Sequence, residues 1–280
     1  MCVAARVLAN ISTDSDVYGV TSVDHELLVL LHTENNRENN DQVAVYSIND
    51  YKLDRHRNYV PRLRPNYYSD MTLCLGLRQK CLYMSDFHHS CIQRRHLASS
   101  DITKWSVAGK PCGLSVTPGC NLLVTCHGEP NKLVELSADS GQCVREIALQ
   151  SDIVEPWHGV QLTTGQFVVC HGIDSILTDS NLHRVCVVGD DGKVTRSYGG
   201  QHGSGVGQLN WPRHLAVDED SQFIFVADQF NNRVVLLSPT LEFVRYVGEG
   251  LSYPCRLHFH QATRHLFVGQ LYGGVTVIQL

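Results

Sequence analysis

The chain has 280 residues, 43% hydrophobic and 18% charged, with eleven cysteines and a formal net charge of −5. That composition excludes a disordered chain, and the acidic balance excludes a surface that coats nucleic acid non-specifically. No window reaches membrane-spanning length, and residues 1–12 (MCVAARVLANIS) lack the pattern of a signal peptide, so a soluble cytoplasmic protein without membrane contact is expected.

The first predicted element is a strand over Val3–Ile11, with no partner close in sequence. After it, one pattern recurs: Tyr18–His32 (YGVTSV…LLVLLH), Asp70–Asp86 (DMTLCL…CLYMSD), Pro111–His127 (PCGLSV…LLVTCH) and Pro156–His171 (PWHGVQL…FVVCH). Trp211–Ser238 and Tyr253–Leu280 follow in the same frame, with YPCRLHF over WPRHLAV and HLFVG over FIFVA. The clearest copy holds four short apolar runs: His214–Val217, Phe223–Ala227, Val234–Leu237 and Phe243–Val247. Turn clusters DEDSQ, DQFNN and SPT separate them, so the copy reads as a four-stranded antiparallel meander. FIFVA is apolar at every position, which requires cover on both faces, and only neighbouring copies supply it. The expected fold is therefore all-β, a single six-bladed β-propeller of four-stranded antiparallel blades. The blades are placed at 17–60, 66–109, 110–150, 155–199, 209–248 and 251–280. The last copy stops after its third strand, and Val3–Ile11 is expected to pair beside Val275–Leu280 and close the ring, which would otherwise leave an open edge. The cysteines lie mostly within strand runs and are expected as buried thiols of a reducing compartment, not as a disulfide framework.

The residues PRHLAVD, FVADQFNNRV and FVRYVG resemble the NHL repeat, whose family builds six-bladed propellers. The resemblance implies a binding platform on a rigid frame. In that family the propeller often follows RING and B-box zinc modules, but this chain has no Cys-x-x-Cys pair and its repeats use nearly all its length. Some NHL propellers bind RNA on the face called here the top, which carries the loops entering strand one and joining strands two and three. Here the long loops, 31–41, 60–69, 170–183 and 199–211, fall on that face, while the opposite turns are short. Long loops on a rigid scaffold are where binding usually resides.

Three sets of residues carry the functional expectations. The residues opening the innermost strands, Tyr18, Met71, Cys112, His158 (or Trp157), Arg213 and Cys255, are expected to face the central channel. Cys112, His158 and Cys255 could there hold a metal, as histidines of PHG-type motifs do in the amidating lyases, distant relatives of the NHL proteins. Only His158-Gly159 matches that motif, and the plainer reading is of buried thiols and hydrogen-bonded side chains, so no cofactor is expected. Second, Lys52, Arg55, Arg57, Arg62 and Arg64 interleave with Tyr59 and its neighbours over Tyr51–Tyr68, a pattern suited to single-stranded RNA. Asp50, Asp54 and Asp70 dilute that charge. Third, Trp157, His158, Trp211, Arg213, His214, Phe230 and Arg256 combine aromatic anchors and guanidinium groups on the top face, the mix enriched in interface hot spots. No G-x-S-x-G, H-E-x-x-H or P-loop occurs. The sequence thus points to a monomeric, non-enzymatic module binding a protein or peptide, with RNA binding and metal-dependent lyase chemistry as alternatives.

Overall fold

The computed structural model describes residues 5–13, 15–24, 26–35, 38–52, 68–74, 80–99, 101–172, 182–272 and 274–280. Its strands form six antiparallel sheets. Blade 1 contains β2 (Asp16–Val23), β3 (Glu26–Asn35) and β4 (Glu38–Ser47), its three described strands. Blade 2 contains β5 (Tyr68–Cys74), β6 (Cys81–Asp86), β7 (Cys91–His96) and β8 (Ile102–Ser106). Blade 3 contains β9 (Lys110–Val116), β10 (Leu122–His127), β11 (Lys132–Leu136) and β12 (Cys143–Ala148). Blade 4 contains β13 (Pro156–Gln161), β14 (Phe167–Gly172), β15 (His183–Val188) and β16 (Val194–Gly199). Blade 5 contains β17 (Pro212–Val217), β18 (Ile224–Asp228), β19 (Arg233–Leu237) and β20 (Phe243–Gly248). Blade 6 contains β21 (Pro254–His260), β22 (His265–Gln270) and β23 (Gly274–Gln279), completed by β1 (Arg6–Ile11). The first strands β2, β5, β9, β13, β17 and β21 each pack on the next, and β21 packs back on β2, so the sheets stand in a closed ring.

Closure takes the expected form. β1 runs antiparallel to β23, with Arg6 opposite Gln279 and Ile11 opposite Val275, and Thr276 Oγ1 donates to Asn10 Oδ1 at 2.7 Å. The ladder leaves β23 no open edge. At the start of β23 the backbone of Gly274, at φ +95°, passes so close to Ile11 that a Cβ would lie 2.0 Å from its carbonyl oxygen.

Burial follows strand position. β6, β14 and β18 are buried along their whole length, as continuous apolar runs require when sheets cover both faces. The outer strands β8 and β12 keep most side chains in water. The core is accordingly a set of layers between blades, such as Val168, Val185, Leu215, Val226 and Val235 between blades 4 and 5. Each fully buried Leu, Val or Phe there contributes roughly 1.5–3 kcal/mol. All described cysteines are free thiols, most of them buried. No described helix is long and apolar enough to cross a membrane.

Candidate functional site at the channel mouth

Every innermost strand carries one extra residue at the same point. Facing the partner strand, the register skips Tyr18 in blade 1, Ser69 in blade 2, Cys112 in blade 3, Trp157 in blade 4, Arg213 in blade 5 and Cys255 in blade 6. A β-bulge re-aims its side chain and ends regular pairing, and here six of them turn one residue per blade toward the mouth of the channel. In blade 2 that residue is Ser69; Met71, expected from sequence, is instead buried in the layer between blades 1 and 2. In blade 4 it is Trp157, and His158 takes the next position down.

The residues just below the bulges lock the channel. Asp70 is fully buried and reaches across the axis. Its carboxylate accepts the Met71 amide at 2.9 Å and the Leu114 amide of blade 3 at 2.8 Å. His214 Nε2 of blade 5 donates to it at 3.3 Å, His158 Nε2 of blade 4 lies at 3.6 Å, and Arg256 Nε of blade 6 at 3.5 Å. Arg256 in turn donates to the carbonyls of Tyr18 (2.8 Å), Cys255 (2.5 Å) and Ser69. Burial disfavours ionised Asp70, but His214, Arg256 and His158 outweigh that and hold its carboxyl at about 2. The two imidazoles stack with centroids 3.7 Å apart. Burial holds both neutral, pushing His158 down to about 3 and lowering His214. Their bonds fit neutral tautomers: His158 Nε2 donates to the Leu114 carbonyl at 3.0 Å, and His214 Nδ1 accepts the Leu257 amide at 3.4 Å. The ligand atoms of Asp70, His158 and His214 lie within 4.8 Å of one another, a spacing a metal ion could bridge. The Arg256 guanidinium already stands beside that carboxylate as its counter-charge, so the donor set disfavours a second cation there.

Above the lock opens a cavity of about 390 Å³, walled by Trp211, Phe230, Tyr253 and Tyr272, with Arg213 and Arg256 reaching in. Trp211 and Tyr253 each precede a proline and sit in the left-handed region, at φ +58° and +51°. That conformation is costly for bulky residues and must be imposed by its surroundings. His183 Nδ1 accepts the Trp211 amide at 3.0 Å and Asn232 Oδ1 the Tyr253 amide at 3.1 Å, which fixes both rings at the rim. They belong to an unbroken aromatic arc across five blades, Phe87–His127–Trp157–Trp211–Phe230–Tyr253–Tyr272, with successive centroids 5.1–6.0 Å apart.

Arg213 stands inside this arc. Its guanidinium lies 3.4 Å over the Trp157 ring, a close cation–π stack. Among the described residues it makes no ion pair or hydrogen bond, unlike Arg256, Arg233 (2.8 Å from Asp228) and Arg184 (2.6 Å from Asp152). Burial, with the Arg256 charge beside it, brings its pKa down to about 10, so it remains cationic at neutral pH. Tyr18 lines the same cavity with its hydroxyl pKa raised, first by burial, and with Asp16 near enough to add to the effect.

The residues expected on the top face thus divide. Trp157, Trp211, Arg213 and Phe230 meet at the mouth, whereas His158, His214 and Arg256 belong to the lock beneath, with Arg256 alone also reaching the cavity. Tyr253, Tyr272 and Asp70 were not anticipated; the signal for Asp70 is its equivalence to His158, His214 and Arg256, visible only once the bulges are placed. The metal candidates Cys112, His158 and Cys255 form no common cluster within ligand reach among the described residues. Both thiols are held protonated by burial, Cys255 at about 11, and donate to carbonyls: Cys112 to Pro156 at 3.0 Å and Cys255 to Val17 at 3.2 Å. Of the RNA set, Lys52 is exposed and ion-paired with Asp50 at 3.4 Å; Arg55, Arg57, Tyr59, Arg62 and Arg64 lie outside the described residues.

No protein-family model and no curated protein matches the chain. Solved structures do match it in fold. A catalytically inactive virginiamycin B lyase from Staphylococcus aureus, crystallised with quinupristin, superposes with a TM-score of 0.64 at 11% identity over 99% of both chains. A streptogramin B lyase gives 0.63 at 9% identity over 99% of this chain and 98% of that one. Hydrazine synthase of Kuenenia stuttgartiensis gives 0.63 at 13% identity over 98% of each. The class defined is a six-bladed β-propeller. The expectation of a non-enzymatic protein is corrected by these likenesses, because the same fold over the same length houses lyases. Motif spacing does not decide the matter in this fold, since a propeller assembles its mouth from about one residue per blade.

Proposed function

We propose that this propeller recognises a protein or peptide ligand at the channel mouth, and that the group it takes there is anionic. The observation that carries the reading is Arg213: a cation with no protein counter-charge among the described residues, stacked on Trp157 and framed by the aromatic arc. A desolvated guanidinium beside aromatic anchors is the composition of an interface hot spot. An anion arriving there restores the charge balance without breaking any bond of the lock below. We infer further that the propeller is of the NHL type, on its PRHLAVD, FVADQFNNRV and FVRYVG repeat, and that it works in a reducing compartment, for which its free thiols speak.

An array of immobilised peptides of graded charge tests the reading. Acidic peptides are expected to retain the protein and basic ones to fail. Arg213→Met or Tyr272→Ala should abolish retention while leaving thermal unfolding in place. Retention unchanged in both variants would overturn the proposal. Single-stranded RNA belongs in the same array, because RNA retained in preference to every peptide would move the site to the stretch around Lys52. Recovering each retained peptide for mass measurement also reports any chemical turnover, the readout the lyase likeness calls for.

A further inference from the structure

Resting on that reading, we infer that the group seated on Arg213 is a single-charged carboxylate carried on a flat apolar group, and not a phosphate. Charge is the first argument. Arg256 is balanced by Asp70 at 3.5 Å and spends donors on three carbonyls. His158 and His214 are held neutral beneath it. Asp16 acts on Tyr18 and Cys255, whereas the charged group that acts most strongly on Arg213 is Arg256, so Asp16 is a neighbouring negative charge and not the counter-ion of Arg213. Among its described residues the mouth therefore offers one uncommitted positive charge. A monoanion balances it, whereas a phosphate monoester would leave roughly one further negative charge desolvated beside Asp16, which is costly in a buried site.

Geometry is the second argument. With one guanidinium face covered by the Trp157 indole at 3.4 Å, its N–H groups are presented edgewise. Edgewise presentation suits the planar, two-pronged bond of a carboxylate. Whatever carries the carboxylate then faces the rings of Trp211, Phe230 and Tyr253, at centroid separations of 5.1 and 5.7 Å. Tyr272, 62% exposed, is the outermost ring of the arc. Rings so spaced favour a flat apolar partner in offset or edge contact. A cavity of about 390 Å³ has room for one such residue and its carboxylate.

Two sources share this chemistry, the free C-terminus of a chain ending in an aromatic or large apolar residue and a small aromatic acid. The probes are N-acetyl-phenylalanine, its amide, phenyl phosphate, and a hexapeptide ending in phenylalanine with a free or an amidated terminus. Trp157 and Trp211 are two of only three tryptophans in the chain, so indole fluorescence reports occupancy directly, and calorimetry gives Kd. Both free acids are expected to bind, with their amides weaker by about 10- to 100-fold, the worth of one charge-assisted hydrogen-bonded pair. Arg213→Met should lose that factor for the acids alone and leave the amides unchanged. Arg213→Lys, which keeps the charge but not the fork, should recover part of it. A hexapeptide at least tenfold tighter than N-acetyl-phenylalanine supports the carboxylate with a peptide source; equal affinity supports it with a small acid. If phenyl phosphate binds more tightly than N-acetyl-phenylalanine, or the amides match the acids, the carboxylate assignment is overturned while an anion- or peptide-binding mouth stands. If no probe alters the fluorescence and acidic peptides also fail on the array, both readings fall together. Should Arg213→Met not fold, Tyr272→Ala at the exposed rim serves instead, with an expected loss of affinity for acids and amides alike.

Discussion

Asp70 joins five blades through one carboxylate, and its neighbour Arg256 adds the sixth through the Tyr18 carbonyl. Nothing in the run DMTLCL sets this aspartate apart from the acidic residues that surround the basic stretch. Its role depends on what the other blades place opposite it. Removing the charge alone leaves Arg256 buried without a counter-ion, and a broken buried pair costs about 3–5 kcal/mol. Asp70→Asn is therefore expected to lower unfolding free energy by that order in urea titration. Asp70→Asn with Arg256→Met should regain a good part of it, because no unpaired charge then remains. A single variant within about 1 kcal/mol of the parent would show that the lock contributes little.

At the scale of strands, the repeat was legible and the bulge was not. Apolar runs at a constant offset announce six sheets, and an orphan strand at Val3–Ile11 together with a last copy one strand short announces how they close; β1 against β23 is that closure. The side chains at the mouth were harder to read, because one extra residue per first strand reverses which side chains face the channel below it. Hence the sequence places Met71 where Ser69 stands, leaves His158 and Trp157 undecided for the mouth-facing position that Trp157 takes, and sets His214 on the top face though it lies buried within the channel. The proline after Glu155, Trp211 and Tyr253 was the available sign, since each of those residues takes positive φ just before the bulge. Closure itself can be tested at Gly274. Gly165 has φ +87° and nothing within 4 Å of the point where a Cβ would stand, so Gly165→Ala should cost only the left-handed backbone, about 1–2 kcal/mol. Gly274→Ala carries the same backbone cost and also drives a methyl into the Ile11 carbonyl. Its expected signature is a larger loss of stability together with accelerated amide exchange over residues 6–11. Equal losses at the two glycines, with β1 still protected, would mean that the edge is closed less tightly than its ladder implies.

Taken whole, the ring is held at its axis and between its blades by imidazoles that folding keeps neutral. Burial lowers His158 and His258 to about 3 and His171 to about 4, and lowers His214 as well. In the unfolded chain each returns to an ordinary value near 6.5. A base whose folded pKa is depressed gives stability that is complete above its unfolded pKa and is lost as pH falls toward the folded one. The unfolded state then binds the extra protons, so unfolding free energy must rise with pH across this window. Asp70, lowered to about 2 from the ordinary carboxylate range near 4, acts in the same direction but only at the acid end. With His158, His258 and His171 each contributing, the slope should approach about 4 kcal/mol per pH unit below pH 6, roughly 1.4 for each proton taken up, and His214 adds to it in the same direction. Urea midpoints measured from pH 8 to pH 5 are thus expected to be flat at first and then to fall steeply. His258 shares a single 2.6 Å hydrogen bond with Ser22, so His258→Gln is the substitution that removes one proton from the balance with least repacking. It should shallow the slope by about a third while lowering stability at pH 8. A slope below pH 6 that is no steeper than one proton's worth would mean that these imidazoles are hydrated, and that the axis is held by Asp70, Arg256 and packing without them.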